Sequence, residues 1–159
     1  EYDLDQLRKT ALLHDIGKIG VKDAVLLKDG KLTDEEFDQI KKHPEMGESI
    51  LKQVEPADAM RPYLPGVRSH HERYDGKGYP DGLIGNSIPL FGRIIAVADA
   101  FDAMTSDRPY RKGMPKERAI SILEEGRGTQ WDPQMATLFI EDFWLKQQEK
   151  NESSRLAAQ

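Results

Sequence analysis

Cysteine is absent from this sequence. That removes disulfide staples, thiolate metal ligands and cysteine nucleophiles together, and leaves only nitrogen and oxygen donors for any metal chemistry. A cysteine-free chain also fits a cytoplasmic setting. No apolar run approaches the roughly 18–20 residues needed to cross a bilayer, so no membrane segment is predicted. An initiating Met and a signal-peptide pattern are both missing, and Glu1 leads directly into a helical pattern, as expected for a piece of a longer protein. There are no internal repeats and no low-complexity stretch. Positive charge is in the minority, with 23 Lys plus Arg against 28 Asp plus Glu. The resulting net charge of -5 argues against DNA binding and still admits a small anionic ligand.

What is present fits one domain: 159 residues, 38% of them hydrophobic, are enough for a core without staples. Leu4, Leu7, Ala11 and Leu12 recur at helical spacing and run into "HDIGKIG", where Gly17 and Gly20 end the helix. Thr33 followed by Glu36 reads as a capping box opening a helix whose apolar positions include Phe37, Ile40, Ile50, Leu51 and Val54. His43 lies inside that region, and Pro44 after it marks a boundary, a kink or a new first turn. Residues 56–65 read as a connector, followed by a short helix over 67–73 that carries His70 and His71. Residues 74–89, "YDGKGYPDGLIGNSIP", hold four glycines and two prolines, too many breakers for a helix or central strand, and form a loop. "LFGRIIAVADAFDAM", residues 90–104, reads as a buried helix with one polar face bearing Asp99 and Asp102. Pro115 opens a helix in its first turn, and Asp132 with Pro133 supplies an N-cap and first-turn proline for another. Beyond Lys146 the chain is polar, a frayed extension or a linker. The predicted fold is all-α.

His14, Asp15, His43, His70, His71 and Asp99 lie on separate predicted elements that a helical bundle can gather at one centre. Any one histidine could be a solvated or core-satisfied side chain, and either aspartate a cap or a salt bridge. Taken together they point to a metal site. Asp99, inside "IIAVADAF", would be costly to bury without a paired charge, strong hydrogen bonds or a metal. Imidazole and carboxylate donors suit iron, manganese, cobalt, nickel or zinc, whereas magnesium prefers oxygen. Six candidate ligands exceed what one catalytic ion takes with a position left open, so two ions sharing a carboxylate are expected. Asp15 is the natural bridge. His70 and His71, successive and therefore on different helical faces, are expected to serve different ions.

Between Thr105 and Arg118 five cations, Arg108, Arg111, Lys112, Lys116 and Arg118, stand against Asp107 and Glu117, a local balance of +3. This stretch is either a solvated basic turn or an anion-facing rim. Beside a two-metal centre it favours phosphorus as the electrophile, with Lys18 one turn beyond His14 and able to reach a phosphate oxygen.

"HDIGKIG" followed by "HHERYDGKGYP" resembles the HD-GYP subfamily of the HD-domain metal-dependent phosphohydrolases. "GKLTDEEFDQIKKHPEMGESIL", "IPLFGRIIAVADAFDAMTSDRPYR" and "GTQWDPQMATLF" are similar to that family too and in its order, covering roughly Leu7 to Phe139. A lone His-Asp pair is weak evidence, and this series is specific. The resemblance implies an all-α, HD-domain-like helical bundle with an ordered GYP loop. It further implies a cyclic di-GMP phosphodiesterase with two or three divalent ions, iron or manganese favoured and nickel, cobalt or zinc admissible. Metal-activated hydroxide would attack a phosphodiester to give linear pGpG, with GMP as a further product.

Carried onto this chain, the resemblance makes His14, Asp15, His43, His70, His71 and Asp99 the metal ligands, with Asp15 and Lys18 catalytic. Lys18, Asp102, Arg108 and Arg111 become substrate-binding residues. Gly78, Tyr79 and Pro80 become a shaping element or a partner contact, for a homodimer or a diguanylate-cyclase domain. The family also draws a further histidine from an upstream helix. Thirteen residues precede His14 and none is histidine, so residues 1–145 are expected to form a catalytic domain lacking that helix. Residues 146–159 would be a polar C-terminal helix extension or tail, and an upstream sensor or receiver domain would regulate the unit. Two other functions compete: a catalytically weak cyclic di-GMP receptor, and another HD-superfamily nucleotide phosphohydrolase. The latter leaves "HHERYDGKGYP" and "SDRPYR" without a role.

Overall fold

The computed structural model describes residues 4–56, 58–107 and 112–156, with side chains to 149. Arg108 and Arg111 lie outside the described residues. Among the described residues eight α-helices follow one another: α1 (Leu4–Leu13), α2 (Asp23–Leu26), α3 (Asp34–Ile40), α4 (His43–Leu51), α5 (Leu64–Ser69), α6 (Leu90–Thr105), α7 (Lys116–Glu125) and α8 (Pro133–Leu156). Short 3-10 turns occupy Ile16–Gly20 and Gly85–Ser87. Among the described residues there is no β-sheet, only two isolated bridges, Asp75 with Ile84 and Arg127 with Trp131. The all-α expectation holds. No described helix is long and apolar enough to cross a membrane.

Local sequence sets most of these boundaries. The Thr33 hydroxyl accepts from the Glu36 amide at 3.3 Å while the Glu36 carboxylate accepts from the Thr33 amide at 2.7 Å, closing the capping box that starts α3. Pro44 sits in the first turn of α4, so the expected long helix is two helices that meet at His43. Asp132 Oδ1 accepts from the amides of Gln134 and Met135 and caps α8. Pro115 stands one residue earlier than expected. It precedes the first turn of α7 as the N-cap, its carbonyl accepting from the Ala119 amide. The polar stretch after Lys146 continues as helix to Leu156.

The core lies between α6, α7 and α8, where Val97, Ile120, Leu123, Trp131, Ala136 and Ile140 are buried and Phe101, Phe139 and Phe143 pack against them. On the other side of α6, α5 is wedged between α6, α4 and α1. The 3-10 turn after α1 lies flat against α4, and Gly17 makes that approach possible. A Cβ on Gly17 would collide with the His43 carbonyl oxygen and sit 2.5 Å from the Gly47 amide nitrogen. Thus the end of α1, the start of α4, the end of α5 and the middle of α6 converge.

Candidate metal centre

All four histidines of the chain meet at this convergence. His43 and His70 are almost wholly buried, with rings 5.2 Å apart; His14 is 5.0 Å from His70, and His71 is 4.2 Å from His70 and 4.9 Å from His43. Asp15, His43, His70 and His71 each direct one donor atom to a common point, all within 4.8 Å of one another.

Backbone position fixes the tautomer of three rings. His14 Nδ1 lies 2.6 Å from the Ala11 carbonyl, His43 Nδ1 2.7 Å from the Ile40 carbonyl, and His70 Nδ1 2.7 Å from the Val67 carbonyl. Each neutral ring donates from Nδ1 to the carbonyl three residues earlier, which leaves the Nε2 lone pair facing the centre. His43 Nε2 and His70 Nε2 are then only 3.1 Å apart with no proton between them in the neutral state. Asp15 Oδ1, 3.2 Å from His43 Nε2 and 3.9 Å from His70 Nε2, is buried and accepts no hydrogen bond among the described residues. Three electron-rich atoms crowded together in this way repel one another, and each lacks a positive partner. Donors about 3 Å apart match neighbouring ligands of one ion with bonds of about 2.1 Å. The donor set therefore fits a divalent cation.

The second Asp15 oxygen faces elsewhere. Oδ2 is 3.3 Å from His14 Nε2 and 2.5 Å from Lys18 Nζ, and His14 Nε2 is in turn 3.7 Å from Asp99 Oδ1. The two oxygens of one carboxylate thus address two donor groups, His43 with His70 on one side and His14 with Asp99 on the other. His14 Nε2 is likewise buried and without a hydrogen bond among the described residues.

Charge distribution completes the picture. Burial lowers His70 to about 3 and His71 to about 4, with further lowering from the neighbouring imidazoles, so both rings are neutral ligands at ordinary pH. Burial works against the charged forms of Asp15 and His14 as well. At Asp15 this is outweighed by His14 and Lys18 at Oδ2, which hold the carboxyl well below the usual range. At His14, Asp15 and Asp99 outweigh it and raise the imidazole to about 10. His14 holds the Asp99 carboxyl down in the same way. Between Asp15 and Asp99 the site demands a cation, and in the metal-free protein a proton on His14 supplies it.

Two expectations need correction in detail. Asp99 keeps 30% of its side chain accessible, so deep burial of that acid is not what calls for a cation; the orphaned Asp15 Oδ1 and the facing imidazoles are. His70 and His71 do not ride together on a helix over 67–73, because α5 stops at Ser69 and His70 is its C-cap. Successive residues on a helix diverge, but across this helix end both rings turn to the same centre. Asp102, one turn after Asp99, is exposed, and its Oδ1 accepts from the Ser106 hydroxyl at 2.9 Å. It was expected to touch substrate rather than metal, and it stands outside the ligand cluster. Lys18 is brought in, although the chain after His14 is a 3-10 turn rather than α-helix.

Sequence reasoning passed over Glu72. Only 4% exposed, its carboxylate accepts from the backbone amides of Asp81 at 2.7 Å and Leu83 at 3.0 Å, clamping the far arm of the 74–89 loop. Arg68 binds both oxygens of Asp81 at 2.7 Å and reaches Glu48 on α4 at 2.8 Å. The only signal was a charged residue abutting the histidine pair in "SHHER". Beside the cluster a cavity of about 210 Å³ is lined by His71, Asp99, Ala96, Ala100, Gln130 and Trp131, among others. It lies open to three of the candidate ligands, His70, His71 and Asp99.

A family model described as an HD domain matches residues 2–135. The chain is 46% identical to the cyclic di-GMP phosphodiesterase response regulator RpfG of Xanthomonas campestris pv. campestris, over 84% of this chain and 35% of that protein. It is 45% identical to 3'3'-cGAMP-specific phosphodiesterase 3 of Vibrio cholerae, over 80% of this chain and 27% of that protein. It is 42% identical to a cyclic di-GMP phosphodiesterase of Thermotoga maritima, over 88% of this chain and 38% of that protein. The chain spans about a third of the length of these relatives. Among solved structures, that of the V. cholerae cyclic GMP-AMP phosphodiesterase V-cGAP3 superposes with a TM-score of 0.58 at 20% identity, over 87% of this chain and 37% of the other. That likeness speaks to the fold.

Proposed function

The chain belongs to the HD-domain family, with the motif pattern of its HD-GYP branch, and from that premise we propose that residues 1–145 are the catalytic unit of a metal-dependent phosphodiesterase that opens cyclic di-GMP to pGpG. The observation that carries the reading is Asp15. Its two oxygens face two separate donor groups, and one of them is buried without a hydrogen bond. This geometry supports a two-ion reading in which Asp15 would be the common ligand, His43, His70 and His71 would hold one ion and His14 with Asp99 would hold the other. Iron or manganese suits the donor set, and nickel, cobalt or zinc are outcomes of metal analysis. Divalent ions held by these residues would supply Lewis acidity and lower the pKa of a water.

The chain's own groups then have defined work. Neutral His70 and His71 would hold cations without competing protons, and the ionised Asp15 and Asp99 would balance the cationic charge. Lys18 Nζ, poised at Asp15 Oδ2, lies where it can take negative charge from a non-bridging phosphate oxygen. In the net reaction the oxygen of water bonds to phosphorus, the P–O3' bond breaks, and the leaving 3' oxygen ends protonated. Arg108, Arg111 and Asp102 stay assigned to substrate binding by the family pattern, and the local excess of basic residues supports that role. The relative named as a response regulator, of which this chain covers 35%, supports a regulatory domain beyond the segment described.

The test is to load the protein anaerobically with iron or manganese, count bound ions, and follow cyclic di-GMP and 3'3'-cGAMP by chromatography. Asp15→Ala is expected to remove turnover and lower metal content together. Metal at two ions per chain with neither nucleotide cleaved would favour the receptor reading. Absence of both metal and cleavage would end the catalytic proposal, and faster cleavage of 3'3'-cGAMP would reassign the substrate.

A further inference from the structure

His71 is held differently from the other three histidines. His14, His43 and His70 each have Nδ1 tied to the carbonyl three residues upstream. His71 lies past the end of α5, and among the described residues neither of its ring nitrogens has a hydrogen-bond partner. Metal-ligating imidazoles normally have their second nitrogen engaged, which fixes ring orientation. Over His71 lies instead the ring of Tyr79, stacked with centroids 4.9 Å apart and planes inclined by 25°.

The loop is built to deliver that ring. The Tyr79 amide donates to the carbonyl of His71 itself at 3.2 Å, so ring and backbone of Tyr79 register on the same residue. The chain reaches this position by crossing directly over the backbone of Glu72 and Arg73. A Cβ on Gly78 would collide with the Arg73 amide nitrogen, which is why glycine stands before the tyrosine. Gly76 and Gly82, at φ of 77° and 64°, make the bends on either side. Glu72 and Arg68 then fasten the returning arm through Asp81 and Leu83. Five residues with no donor atom at the centre thus converge on the placement of one aromatic ring.

We propose that Tyr79 is the positioning residue of His71, its stacked ring doing for this imidazole what a backbone carbonyl does for the other three, with Glu72 as the clasp that holds it there. The inference rests on His71 being a metal ligand, as proposed above. It assigns the Gly-Tyr-Pro segment an inward, orienting role.

The experiment compares Mn²⁺ affinity and metal-free unfolding midpoint for the parent, Tyr79→Phe, Tyr79→Leu and Tyr79→Ala. Loss of an orienting partner typically costs about 10- to 100-fold in metal affinity, and that loss is expected for Tyr79→Ala. Tyr79→Leu, which fills the space without a planar ring, is expected to fall in between. Tyr79→Phe keeps the ring and is expected to stay within about twofold. Equal loss in Tyr79→Phe and Tyr79→Ala would place the effect in the hydroxyl and overturn the proposal. Should Tyr79→Ala also lower the midpoint, a double-mutant cycle with His71→Ala decides: no further loss of affinity in the double variant supports action through His71, and additive losses overturn it. Parent-like affinity in Tyr79→Ala, alongside metal loss in Asp15→Ala, sinks the inference and leaves the metal centre standing. A parent that binds no Mn²⁺ ends both.

Discussion

Lys18 shows how one side chain separates binding from turnover. Its ammonium sits 2.5 Å from Asp15 Oδ2, the oxygen that a cation shared with His14 would also use, so in the metal-free protein Lys18 competes for that ligand. Replacing it with Met is therefore expected to leave metal content unchanged. The same change removes a positive group from the place where a phosphate oxygen gains charge, and loss of one such donor costs on the order of 10²–10³ in turnover. Metal analysis and initial rates on the same Lys18→Met sample check both halves. Loss of metal would make Lys18 structural. Residue chemistry of this sort was legible early: four histidines and two unusual aspartates announced a nitrogen–oxygen metal site before any fold was known. Glu72 was not legible, because a glutamate beside two histidines looks like any other surface charge until its two amide partners, nine and eleven residues on, are seen.

Among the elements, the contact between the 3-10 turn and α4 matters most, since it sets the distance between Asp15 and His43. Gly17→Ala would press a methyl group into the His43 carbonyl and drive the two elements apart. Overpacking of this kind costs about 1–3 kcal/mol. The expected outcome is a lower unfolding midpoint together with weaker metal binding, read by urea titration and by metal competition. A stability loss with parent-like metal affinity would show that the turn adjusts without moving Asp15. Caps were well foreseen at this scale: the Thr33–Glu36 box and the Asp132 cap depend on neighbours within four residues. The end of α5 was not, because nothing in "GVRSHHER" stops a helix locally. There the Glu72 carboxylate, facing back to the loop, takes the place of continued helical packing.

For the molecule as a whole, the pair Arg93–Asp132, at 2.6 Å, ties α6, the helix against which both sides of the bundle pack, to the start of α8. Burial alone would raise the Asp132 carboxyl, but Arg93 and the capping amides outweigh it and hold the carboxyl below its usual range. The folded protein therefore keeps Asp132 ionised to lower pH than the unfolded chain does. This contribution is complete above the ordinary aspartate value of about 4. It is lost as pH falls from there toward the lower folded value. Asp132→Asn is expected to destabilise the metal-free protein at neutral pH by about 3 kcal/mol, the cost of breaking a buried pair. It should also flatten the acid limb of midpoint against pH, as measured by urea unfolding between about pH 3 and 6. An unchanged acid slope would assign that limb to the other depressed carboxylates.

The sequence by itself determined the donor chemistry, the all-α class and most helix starts, because residue type and short-range spacing suffice for each. It also carried a family pattern across nearly the whole chain. Only the tertiary structure decided which donors meet and how they are aimed. Asp15 divides its two oxygens between His43 and His70, at the start of α4 and the end of α5, and His14 with Asp99, after α1 and within α6, and Tyr79 lies over His71. These relations join residues distant along the chain through packing and close backbone approach, and no local periodicity encodes them.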